Sequence, residues 1–194
     1  YCQGDVGNKK TLNMIHSIFK KNKWKKLNGI IANSGSTKPN TNLFNEKDFH
    51  WFLKNNFLNS YNFINFFIKK FSHTLDSIVF ISSIAANKPG IAPFHYTSSK
   101  AMLNLYANEL VRKYSNRFRI NVVSPGNILF KNGNWEKKIK KNKSKISKMI
   151  REKVPLKRFG LPDEISKMVV FLLSDKASFI TGTNVKVDGG QSIK

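Results

Sequence analysis

Residues 77–82 read SIVFIS, a short apolar run rich in β-branched side chains and closed at each end by serine. Three more runs of this kind recur along the chain: NGIIAN (28–33), RINVVS (119–124) and NVKVD (184–188). Runs of this length between turn-forming residues read as strands. A strand with one wet face alternates apolar and polar residues. These barely alternate, which predicts parallel strands covered on both faces. Helical patterns fill the gaps. Leu12, Ile15, Ile18 and Phe19 mark one, a long one runs over 46–71, and another runs over 96–114. Pro162, followed by Asp163 and Glu164, opens a further helix, with proline preset for the first turn and acids at the positive end. The alternation of strand and helix predicts an α/β fold built on a parallel sheet. The lysine-rich stretch 131–153 still carries Trp135, Ile139, Ile146, Met149 and Ile150, so it is expected to be a helical excursion.

Composition narrows the classes. The chain has 194 residues, of which 40% are hydrophobic and sixteen are phenylalanine, enough to bury the core of one domain spanning 1–194. No apolar stretch reaches the ~18 to 20 residues that span a bilayer, so no membrane partner is expected. The first residues, YCQGDVGNKK, lack the charged-then-apolar pattern of a signal peptide. Cys2 is the only cysteine, which excludes an internal disulfide and favours a cytoplasmic setting. His16, His50, His73 and His95 are scattered without ligand spacing, so no metal is expected; His95 abuts Tyr96 and could touch a substrate, but reads more readily as an ordinary surface histidine. The net charge of +23 raises the question of nucleic acid. Only five of the 34 basic residues are arginine, however, and the lysines travel with Asn, Ile and Phe throughout. That pattern is a solvated surface rather than a nucleic-acid face, although an anionic cofactor or acidic partner would be drawn to it.

Ligands of parallel sheets bind beyond the carboxyl ends of the strands. Three polar clusters fall there: ANSGS after the first run, SSIAA after the second and SPGN after the third. Each alone reads equally well as a strand-to-helix turn. Together with Tyr96 and Lys100 on the next helix they suggest more, since residues four apart share one helical face. A carbonyl that accepts hydride develops negative charge on oxygen and needs a proton donor and hydrogen-bond support. Tyr96 can donate the proton and Ser83 can support the oxygen. Lys100, as an ammonium one turn away, is expected to lower the pKa of the phenol. Asn56 can interrupt a turn of the long helix and hold a water, or be an exposed helical asparagine.

This ordered set resembles the short-chain dehydrogenase/reductases. Asn33-Ser34-Gly35 stands where that family has Asn-Ala-Gly, Ser83 lies thirteen residues before Tyr96, and Tyr-x-x-x-Lys is followed by Ser124-Pro125-Gly126. The carboxyl end, PLKRFGLPDEISKMVVFLLSDKASFITGTNVKVDGGQSI, is similar to the family's closing helix and strand almost throughout. The resemblance implies a Rossmann-like doubly wound parallel sheet and a carbonyl/alcohol oxidoreductase using NAD or NADP. Tyr96 would be the general acid/base, Ser83 the carbonyl orienter, Lys100 the holder of the nicotinamide ribose, and Asn56 the support of a proton-relay water. Asp5 and Val6 would flank the adenine, Asn33 and Gly35 would form the turn beside the cofactor, and Pro125, Gly126 and Ile128 would back the nicotinamide. The excursion at 127–153 would form a substrate lid. The substrate would be a small carbonyl or alcohol, with a 3-oxoacyl thioester on an acyl carrier as the favoured subgroup, and the family's helix packing implies a homo-oligomer.

The sequence departs from the family pattern in places. Ala32 and Ser34 are mild changes, and Phe130 stands where many members have a threonine that touches the cofactor. No Gly-x-x-x-Gly-x-Gly occurs, so the resemblance implies that the chain begins near the family's third strand, at YCQGDV, with the first two βα units absent. On that expectation NGIIAN becomes a sheet edge and the 194-residue chain alone binds dinucleotide poorly. An alternative reading from another class is a non-catalytic binding or assembly protein on a truncated reductase scaffold.

Overall fold

The four apolar runs form the four strands of one parallel sheet: β1 (Gly29–Ala32), β2 (Ser77–Ile81), β3 (Arg119–Pro125) and β4 (Asn184–Val187), side by side in chain order. The computed structural model describes residues 2–38 and 41–194. The helices are α1 (Lys9–Lys21), α2 (Glu46–Leu53), α3 (Asn59–Phe71), α4 (Phe94–Tyr114), α5 (Asn134–Lys141), α6 (Lys143–Lys153) and α7 (Pro162–Leu173). Register explains the apolar runs. Ile30, Ile78 and Ile120 form one row across the sheet, and Ala32, Phe80 and Val122 the next. These two rows face α1, α3 and α4, meeting Leu12, Ile64, Phe67, Leu103 and Ala107. Val79, between those rows, and Val123, just past them, face the other way and meet Val169 and Leu172 of α7. Ile78, Val79 and Phe80 are all 0% exposed, as strands covered on both faces require. The doubly wound arrangement read from the sequence is therefore present.

Chemistry of the helix ends agrees with the sequence. Asn8 caps α1 by accepting from the Lys10 N–H at 2.8 Å, and Lys20 and Lys21 sit at its negative end. At the start of α7 the Glu164 carboxylate accepts from the Leu161 N–H at 2.8 Å and pairs with Arg158 at 2.7 Å. The excursion is helical: α5 and α6 meet at Asn142, whose side chain caps α6, and Ile150 with Val154 anchors it in the interior.

One expectation fails. Residues 2–8, where the resemblance would place a further strand, form none. Asp5 instead folds the chain on itself, its carboxylate accepting from the Gly7 N–H and its carbonyl from the Asn8 N–H, each at 2.9 Å. With no strand beside it to exchange hydrogen bonds, an aspartate two residues before a glycine satisfies the local backbone through its own side chain. Among the described residues β1 pairs only with β2, and Ile31, on the α7 side of this edge strand, stays 46% exposed.

Candidate active site

Parallel strands deliver their carboxyl ends to one rim of the sheet, and the loops after β1 and β2 meet there. After Ile81 the chain passes Ser82 and Ser83 and tightens into a short turn, Ile84–Asn87, capped by the Ser83 hydroxyl, which accepts from the Ala85 N–H at 3.2 Å. This fixes Ser83 at the rim. Opposite, α4 begins immediately after Pro93, whose fixed φ suits a helix entrance. Tyr96 and Lys100 thus occupy its first two turns on one face.

Lys100 is 3% exposed, and its ammonium donates to the carbonyls of Ile81 at 3.0 Å and Ser34 at 3.4 Å, bridging the ends of β2 and β1. Burial pulls its pKa down to about 8. Asn56 is 0% exposed and lies in a single π-helical turn, Lys54–Leu58, between α2 and α3. The interruption expected in the long helix is therefore real, and the exposed-asparagine alternative is excluded. The Asn56 amide donates to the Ser36 carbonyl at 2.9 Å and the Phe52 carbonyl at 3.1 Å, and accepts from the Ser36 N–H at 2.9 Å. It grips the loop after β1 as another strand would.

Gly35 sits between these groups. A Cβ there would lie 2.8 Å from Lys100 Nζ and 3.1 Å from Asn56 Oδ1, so amine and amide oxygen flank one point and only bare backbone fits. The cleft also holds Tyr96, whose ring is 6.4 Å from that of Phe52. Tyr96 keeps partial solvent access, yet the protein packed around it pushes its phenol above its ordinary value, and the influence of the Ser83 hydroxyl pulls it partly back. This reverses the expectation that Lys100 acidifies the phenol. The ammonium is spent on two carbonyls, and desolvation, which spacing along a helix cannot reveal, outweighs it.

The remaining candidates lie in three further places. Asn33 is exposed at the end of β1. Pro125, Gly126 and Ile128 stand at the end of β3, where Gly126 packs so closely on Asp188 that a Cβ would meet its Cα at 2.8 Å. Ile128 pairs with Gly160 and lines a cavity with Asn127, Leu156 and Val187. Asp5 and Val6 are outside the Ser83–Tyr96–Lys100 cluster; Asp5 reaches Lys54 of the π-turn at 3.7 Å. Two participants escaped sequence reading. Ser36 is engaged through its backbone, which leaves no side-chain signal. His95, expected at the surface, is 3% exposed; its place between Phe94 and Tyr96 was the available clue. Among the described residues no cluster of His, Cys, Asp and Glu is arranged to hold a metal ion.

Residues 1–192 match a family model described as enoyl-(acyl carrier protein) reductase. The chain is 51% identical over 72 residues to isoepoxydon dehydrogenase of Aspergillus clavatus, covering 37% of this chain and 27% of that enzyme. It is 29% identical over 180 residues to the 3-oxoacyl-[acyl-carrier-protein] reductase of Buchnera aphidicola, covering 91% of this chain and 70% of the relative. The match to isoepoxydon dehydrogenase therefore spans little more than a quarter of that enzyme's length. The fold superposes on ligand-free aldohexose dehydrogenase of Thermoplasma acidophilum with a TM-score of 0.85 and 28% identity, over 99% of this chain and 78% of that one.

Proposed function

The chain belongs to the short-chain dehydrogenase/reductase family, and from that membership we propose that it carries the proton-transfer centre of an NAD- or NADP-dependent oxidoreductase interconverting a carbonyl and an alcohol. The observation that carries this reading is the convergence of Lys100 and Asn56 on Gly35 at the rim shared by β1 and β2, with Ser83 opening the turn after β2 and Tyr96 one helical turn before Lys100 on α4.

The fit to a nicotinamide dinucleotide rests on two features. Gly35 provides a close-approach surface that any Cβ would fill. Lys100 has three ammonium donors and spends two on carbonyls, which leaves one for a ribose hydroxyl. When bound, the dinucleotide supplies or accepts the hydride. The protein's residues manage the proton. Tyr96, with its phenol pushed up, stays protonated through neutral pH and is suited to donate to the oxygen of a carbonyl undergoing reduction. The Ser83 hydroxyl orients and supports the same oxygen. Lys100 and Asn56 fix the floor of the cleft, and the Asn56 turn offers a place for the water that would reprotonate Tyr96. Pro125, Gly126 and Ile128 would back the nicotinamide, Asn33 would edge the cofactor turn, and Asp5 with Val6 would lie toward the adenine.

Within this class we favour a 3-oxoacyl thioester as substrate. The match to the Buchnera reductase over 91% of the chain supports this, as do the half-buried Trp135, Ile139 and Ile146 of the α5–α6 excursion, which would serve as a lid. Lysines around these helices suit an acidic carrier. A second copy of the chain would pack on the outer α3–α4 face, where Leu105 is 63% and Tyr61 40% exposed. The non-catalytic alternative draws its support from the one-sided pairing of β1.

Tyr96→Phe separates the readings. Whatever turnover the wild-type chain shows should disappear, while its NADH and NADPH binding, followed by fluorescence titration and weak on the expectation above, should be unchanged. Retained turnover in the variant would refute the role of Tyr96, and wild-type protein that neither binds nor turns over would favour the non-catalytic reading.

A further inference from the structure

His95 is a buried polar residue that the chemistry above does not use. Its ring is boxed by aromatic side chains, with centroids 5.6 Å from Phe49, 6.1 Å from Phe52 and 5.6 Å from Phe94. Nε2 lies 3.0 Å from the carbonyl oxygen of Asn42, and a carbonyl can only accept, so Nε2 carries the proton. Nδ1 is then a buried acceptor with no partner. An unpaired buried acceptor costs free energy, and an apolar side chain of similar size would fill this aromatic box without that cost. The one bond that distinguishes histidine here is the bond to Asn42.

Asn42 is held from a second side as well. Its N–H donates to the carboxylate of Asp48 at 3.2 Å, a buried α2 residue that also pairs with Lys38. The Asn42 carbonyl further accepts from the Asn45 N–H at 3.1 Å, and its side chain from the Phe44 N–H at 3.0 Å. Clasps from α2 and α4 therefore converge on one residue of a segment that has no regular structure of its own. The α4 clasp is one residue from Tyr96. The residues next to the two bonded groups are apolar and exposed: Leu43 at 54%, Phe44 at 91% and Phe94 at 58%.

We propose that His95 is a positioning residue which holds segment 41–45 as a wall beside Tyr96 and so sets the room for the apolar part of the substrate. This deepens the oxidoreductase reading and rests on it for the substrate, while the clasp itself stands independently.

The test uses the full 194-residue chain with His95→Phe, which fills the box without a donor, His95→Met as a second donor-free side chain, and His95→Gln, whose amide can still reach the Asn42 carbonyl. Peptide-level hydrogen exchange over 41–48 should speed up about tenfold in the donor-free variants and return toward wild type in His95→Gln. With a carbonyl substrate bearing a bulky apolar group, KM should rise about tenfold in the donor-free variants while kcat stays within about threefold. Exchange within about twofold of wild type in a folded donor-free variant would overturn the clasp. A loss confined to kcat would overturn the specificity role. Absence of turnover in the wild-type chain would instead count against the enzyme reading, with exchange still deciding the clasp.

Discussion

Lys100→Met offers a direct test of the buried ammonium. Methionine preserves most of the packing and removes the charge, so the pH dependence of the stability difference isolates Lys100. Burial holds the folded-state pKa at about 8, below the ordinary value of 10.5. Between those values the unfolded chain binds more protons than the folded one, so stability rises with pH across the window. The buried cation is a standing cost below about pH 8, relieved as the amine loses its proton. At about 1.4 kcal/mol per pH unit of displacement, wild type should gain about 2 kcal/mol relative to Lys100→Met between about pH 7 and about pH 9.5. Because the side chain is 3% exposed, solvent screening does not erode this figure. For a chain of this size the two melting curves should separate by about 4–8 °C over the window. Matched urea unfolding series at five or six pH values would measure it. Parallel curves would show that the ammonium is not desolvated, and the geometry assigned to the cleft would be wrong.

Asn56→Ala strands the Ser36 N–H and carbonyl and opens a cavity, so it should cost about 3 kcal/mol in denaturant unfolding; a loss below about 1 kcal/mol would deny the grip on the loop after β1. Gly35→Ala should lower the melting temperature and depress turnover and dinucleotide binding, because a Cβ there would lie 2.8 Å from Lys100 Nζ and push the ammonium off its two carbonyls; unchanged binding would remove Gly35 from the site. Arg158 holds the Glu164 carboxylate down to about 2, well below 4.5, so the stability it lends is present above the unfolded value and lost as pH falls toward about 2. Glu164→Gln should flatten that part of the acid-unfolding curve, and identical acid limbs would dismiss the pair.

The strands were legible because being covered on both faces leaves a plain mark: Ile78, Val79 and Phe80 are consecutive and apolar. Tyr96 and Lys100 were legible because helical spacing alone places them on one face. Asn56 was half legible: an asparagine inside an apolar helix raised the question of an interrupted turn, but its grip on Ser36 depends on a loop twenty residues earlier. The direction of the Tyr96 shift was not legible, since desolvation is a property of the assembled cleft. His95 was missed for the same reason. Its neighbours in space, Asn42, Phe49 and Phe52, come from a different part of the chain, and no periodicity records their approach. The turn at Asp5 departs from the strand that the resemblance implied, because an extended segment is held only where another strand lies alongside to exchange hydrogen bonds.

The π-turn at Lys54–Leu58 also acts as a phase adjuster. Each residue of a helix advances the screw by about 1.5 Å and about 100°. A wide turn accommodates one extra residue without carrying that rotation forward. Winding the same residues as uninterrupted α-helix would carry that extra rotation of about 100° into everything that follows. Either Phe52 and Asp48 or Ile64, Phe67 and Ile68 would then swing out of alignment, because the two halves could no longer both face inward. The local irregularity is what allows one rod to serve the cleft at one end and the sheet at the other, and smoothing it would dismantle both.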